Sequence, residues 1–131
     1  MLVYKLSTAD VLKALSCFKL SLKLPLDRKY YTVPYRKWLE LIKKDWLDHK
    51  QYVKEQFDCD DFALCFKTHM AEKHGLNAVA FVADFIAWHC YNAIILPNGK
   101  AMLFEPQTDK LFEFSERDKR YYFGWLCLVI I

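Results

Sequence analysis

The sequence predicts an α+β domain in which N-terminal helices pack on an antiparallel β-sheet. Amphipathic runs, with apolar residues three and four apart, fill the chain as far as Gly75, and short β-rich runs follow from Asn77 onward. The connections between those runs are too short for crossover helices, so neighbouring strands must run antiparallel. A chain of 131 residues that is 54% apolar and 17% aromatic supplies one core and fits one domain over 1–131.

The elements follow in order. Ser7-Thr8-Ala9-Asp10 offers an N-cap for a helix through about Leu22, with Val11, Leu12, Leu15, Phe18 and Leu22 on one side, and Pro25 ends it. Trp38, Leu39, Ile42, Trp46, Leu47 and Tyr52 recur at helical spacing, which predicts a second helix broken near Asp48. The third helix is the best signalled. Asp58 stands as its N-cap, Cys59, Phe62, Ala63, Phe66 and Met70 fall on one stripe, three carboxylates sit at the positive end of its dipole, and Gly75 supplies the left-handed terminal residue. Strands are expected over 78–83, 86–96, 101–104, 111–114 and 124–131.

Composition excludes several classes of function. The net charge of +3 requires no polyanionic partner, so no nucleic acid is predicted, although residues 1–57 carry 12 Lys/Arg against 6 Asp/Glu. No apolar run approaches the ~20 residues of a membrane span and the N-terminus has no leader pattern, so an intracellular, soluble chain away from membranes is expected. Five scattered cysteines without a CxxC pair read as reduced thiols, not as a disulfide scaffold or a four-cysteine zinc site.

Chemistry concentrates at Cys59. A thiol is a nucleophile only as thiolate, and a helix N-terminus stabilises that form. His89 is the one histidine on a predicted strand, where a stiff backbone can hold an imidazole against the helix end as general base. Pro97 cannot close a two-residue turn at Asn98-Gly99, because its missing N–H loses a hydrogen bond. A three-residue loop with Gly99 left-handed satisfies both residues. In that register His89, Tyr91, Glu105 and Gln107 share one face, and Glu105 orients the ring. Gln56, or Gln51, is the oxyanion candidate beside the Cys59 N–H, and Gln107 is a further orienting candidate. Asp58, Asp60 and Asp61 oppose a neighbouring thiolate by like charge, and a hard cation bound by Asp60 or Asp61 would remove the conflict.

Phe57-Asp58-Cys59-Asp60-Asp61-Phe62-Ala63, His89-Cys90-Tyr91-Asn92 and Phe104-Glu105-Pro106-Gln107-Thr108 resemble papain-like and transglutaminase-like cysteine peptidases, most closely the C-terminal protease domain of a mushroom agglutinin. The resemblance runs from about Trp38 to the last strand and leaves residues 1–37 outside. It implies a papain-like fold, a Cys59-His89-Glu105 catalytic triad, a peptide or protein substrate, and calcium beside the cysteine, with no cofactor required for the chemistry itself. Cys90 departs from the pattern, which has a small residue after the histidine. Two alternatives to a peptidase or amidase stand beside it: acyl transfer on the same apparatus, and a non-enzymatic binding domain that uses the basic residues 1–57 as a partner surface. Oligomeric state is not legible in the sequence.

Overall fold

The computed structural model describes residues 1–131. Strands β1 (Tyr4–Ser7), β2 (Leu22–Leu24) and β3 (Lys29–Thr32) accompany α1 (Thr8–Ala14) in the N-terminal part, followed by α2 (Tyr35–Asp45) and α3 (Cys59–His74). Strands β4 (Val79–Asp84), β5 (His89–Ile95), β6 (Ala101–Glu105), β7 (Lys110–Glu113) and β8 (Cys127–Ile130) complete the chain. The main sheet has six strands in the order β2-β8-β4-β5-β6-β7, and β1 and β3 form a separate antiparallel pair.

Strand alternation divides the sheet into two packed faces. Val79, Ile94, Met102 and Phe104 meet Trp38, Leu41 and Ile42 of α2 and Phe62, Phe66 and Met70 of α3. The intervening residues Ala80, Val82, Tyr91, Ala93 and Leu103 meet Leu6, Val11, Leu15, Phe18 and Tyr30 on the other side. The β5–β6 hairpin has the register that the turn argument demands: Ile95 pairs with Ala101 and Asn92 with Phe104. Leu96 N–H donates to Lys100 O, Gly99 N–H to Leu96 O, and Gly99 is left-handed at φ +81°.

The expectation of N-terminal helices on a purely antiparallel sheet is corrected in two places. β2 pairs with β8 in parallel, so the sheet is mixed. The first helix ends at Ala14, passes through a 3-10 turn at Leu15–Cys17, and gives way to β2. Leu22, expected on that helix's buried stripe, lies exposed on an edge strand, because Leu20, Leu22, Leu24 and Leu26 alternate with Ser21, Lys23 and Pro25 at strand period. The second helix is broken where expected to within two residues, at Trp46, which is left-handed at φ +61°, and a 3-10 turn over Leu47–His49 follows. Three short strands thus stand where a helix and loops were expected, and most of the molecule's regular structure outside three helices is sheet.

Candidate functional site: a thiolate and an imidazolium at the sheet end

α3 begins where the sequence places it. Asp58 is its N-cap, with its own N–H donating to Asp61 Oδ2 at 3.3 Å as part of a capping box, and Gly75 closes the helix at φ +66°. Asn92, buried on β5, donates to Ala63 O (2.9 Å) and Ala80 O (3.1 Å) and so ties the helix to the sheet. The first turn of α3 therefore stands over the start of β5. Cys59, Asp84, Phe85, Trp88, His89 and Cys90 line a cavity of about 160 Å³ there.

His89 Nε2 lies 2.5 Å from Glu105 Oε2. Glu105 is almost fully buried, and it also accepts from Tyr122 Oη at 2.9 Å and from the Gln107 N–H at 3.3 Å. Tyr122 packs edge-on against both His89 and Tyr91, which limits the ring's freedom. Behind it, Asp84 accepts from Tyr91 Oη (2.7 Å), Gly124 N–H (2.7 Å) and Ala87 N–H (3.0 Å), and this pins the β4–β5 turn that carries Phe85 and Trp88.

The charges follow from these contacts. The neighbouring Cys90 thiol and His89 ring hold the Cys59 thiol down at about 4, overcoming its partial burial. Burial alone would lower His89, but the Cys59 thiolate and Glu105 outweigh it and raise the ring to about 9. The neighbouring Cys59, together with burial, pushes Cys90 well above the ordinary thiol range. Each group of the pair thus favours the charged form of the other.

The structure brings Cys59, His89 and Glu105 together. It uses Gln107 only through its backbone N–H, and Gln56 is an exposed turn residue whose N–H donates to Val53 O. Oxygens of Asp58, Asp60 and Asp61 lie within 4.8 Å of one another, an all-carboxylate donor set of the kind a hard cation takes. Asp58 and Asp61 already accept backbone N–H groups, from Glu55 and Asp58 respectively. The carboxylate contact with Asp58 raises Asp60 to about 6, which is the unrelieved charge a cation would neutralise. Sequence reasoning missed Tyr122 and Asp84, and it read Cys90 as a matter of fit only. Tyr122 lies in a loop with no periodic signal, while Asp84 was visible as an acid closing an apolar strand.

A family model described as the ricin-type beta-trefoil lectin C-terminal domain matches residues 8–123. No curated protein is significantly similar in sequence. Among solved structures, the chain resembles PSL1a in a complex with E64, with a TM-score of 0.72 at 18% identity over 97% of this chain and 51% of that one. It also resembles the Polyporus squamosus lectin bound to the human-type influenza-binding epitope Neu5Acα2-6Galβ1-4GlcNAc, with a TM-score of 0.66 at 20% identity over 95% of this chain and 49% of that one. The chain thus spans about half the length of each neighbour. The matched family is one of lectin domains and the second neighbour is a lectin, not a papain-like peptidase, which overturns the papain-like and transglutaminase-like assignment, the papain-like fold, and the cysteine-protease activity expected with them. The match also begins at residue 8, inside the segment that the resemblance left out. Since it covers most of the sequence, the chain belongs to the family of C-terminal domains of ricin-type β-trefoil lectins.

Proposed function

We propose that the chain is a binding domain that takes a small ligand with an electrophilic carbon into the cleft between the start of α3 and the start of β5. The observation that carries the reading is that Cys59 and a Glu105-bound His89 line one cavity of about 160 Å³, where each favours the charged form of the other. Cys59 Sγ bonds to the carbon as that carbon's bond to an electronegative atom breaks, and the His89 N–H that faces away from Glu105 gives its proton to the atom released. Glu105 and Tyr122 are positioning residues that fix the ring. Phe85 and Trp88, both exposed, supply apolar contact. The adduct is stoichiometric, as suits a binding domain. The complex of PSL1a with E64 supports a ligand of this kind, and the lectin family supports binding as the task.

Intact-mass analysis after exposure to iodoacetamide or E64 tests the proposal. One adduct is expected, at Cys59, forming at pH 6 at least about tenfold faster than at Cys65, because thiolate fraction sets the rate. Cys59→Ala should abolish it. Modification spread evenly over the cysteines would overturn the reading.

A saccharide is the second ligand class, favoured by Trp88. Its indole is 83% exposed beside the cavity and its backbone is held left-handed at φ +54°, a strained conformation of the kind that accompanies ligand sites. Calorimetry with Neu5Acα2-6Galβ1-4GlcNAc on wild type and Trp88→Ala tests it. Calcium suits the donor set of Asp58, Asp60 and Asp61, with Asp60 and Asp61 as its principal ligands.

A further inference from the structure

We infer that Cys59 and Cys90 form a redox-active dithiol, a modification site at which a hydroperoxide converts the pair into an intramolecular disulfide that closes the cleft. The inference rests on the placement of the two thiols and holds whatever the cleft binds.

Of the five cysteines, only these two line the cavity, and all five are free. Their opposition follows from the helix-to-strand tie one step further along. Asn92 Nδ2 meets Ala63 O at 2.9 Å. Cys59 precedes Ala63 by four residues on the same helical stripe, about 6 Å back at the helical rise. Cys90 precedes Asn92 by two residues on the same strand face, about 6.6 Å back at the strand rise. Two nearly equal steps from a contacting pair, taken in the same direction, bring Cys59 opposite Cys90. The remaining thiols do not open into this cleft: Cys17 follows α1, Cys65 lies further along α3, and Cys127, although it pairs with Asp84 across β8 and β4, is buried in the core on the sheet face opposite α3.

The chemistry balances with a hydroperoxide as oxidant. Cys59 thiolate attacks the distal peroxide oxygen, the O–O bond breaks, and the leaving oxyanion takes a proton, which leaves a sulfenic acid on Cys59. The Cys90 sulfur then attacks the Cys59 sulfur. An S–S bond forms, the S–O bond breaks, and the hydroxide leaves as water with the Cys90 proton. Two thiols are oxidised and one peroxide is reduced. Cys59, at the N-terminus of α3 and in the same cavity as His89, is the attacking thiol, and Cys90 across that cavity is the resolving one. The disulfide would remove the nucleophile and fill the space a ligand needs, and a dithiol reductant would restore both.

The test uses the whole chain, treated with a small excess of hydrogen peroxide and mapped without reduction. The expected product is a peptide cross-linked through Cys59 and Cys90. Cys59 alkylation should fall about tenfold or more and recover fully with dithiothreitol. Cys90→Ser and Cys90→Ala, checked for fold by circular dichroism, should instead carry Cys59 on to sulfinic and sulfonic acids, with no recovery. A wild type without the cross-link, or one whose Cys59 is lost irreversibly as fast as in the two variants, would overturn the inference.

Discussion

The Cys59 thiol is set by its immediate neighbours, and its pH behaviour follows from them. Its acid form is confined below about pH 4, while the partner imidazolium persists to about pH 9. Alkylation of Cys59 should therefore be nearly flat from pH 5 to 8, whereas a thiol of ordinary pKa near 8.5 rises about tenfold per unit over that range. A Cys59 rate that climbs with pH like that of Cys65 would contradict the ion pair. Glu105→Gln removes the carboxylate that helps keep His89 charged. The ring should then titrate below 9, and the thiolate, with a weaker partner, above 4. Both shifts are readable by NMR of the imidazole and by the alkylation midpoint. Because Glu105 is buried and bonded to three partners, the same change should lower stability by about 1–3 kcal/mol.

Among the elements, α3 and the β5–β6 hairpin were legible because local chemistry dictates them. Asp58, the Phe62-Phe66-Met70 stripe and Gly75 agree on one helix, and Pro97 with Gly99 allows one turn, which fixes the parity of His89 and Glu105. β1, β2 and β3 were not legible. Their formation depends on partners distant in the chain: β2 has no stable form without β8, and Leu22 and Leu24 satisfy a helical stripe as readily as a strand row. The cleft was half legible for the same reason. Cys59, His89 and Glu105 carry signals in their own segments, but Tyr122 reaches Glu105 from a loop that no periodicity marks. The first turn of α3 yields its own prediction. Asp58→Asn keeps a capping oxygen but removes the charge that burdens Asp60, so Asp60 should titrate below its present value of about 6. Calcium at these carboxylates should lower the Asp60 midpoint in the same sense, and a chelator should return it. A midpoint indifferent to calcium would remove the cation from the account.

At the scale of the whole molecule, β8 is an interior strand, hydrogen-bonded to β2 on one side and β4 on the other. Ile131 beyond it is fully buried, and its carbonyl accepts from Tyr30 Oη (3.0 Å) and from the Leu26 N–H (2.6 Å). Deleting residues 127–131 should therefore cost the entire stability of a domain of this size, on the order of 5–15 kcal/mol, instead of fraying one edge. Loss of the cooperative thermal transition by circular dichroism is the expected result. The same strand order bears on how the molecule is made. Strand β2 emerges from the ribosome about a hundred residues before its only neighbour in the sheet. Until then the backbone of Leu22–Leu24 has no sheet partner, while the leucine side chains of this row stay exposed even in the finished fold. Pairing of this segment must wait until β8 has been made, and the closing of so long a loop makes folding slow by comparison with local helix formation.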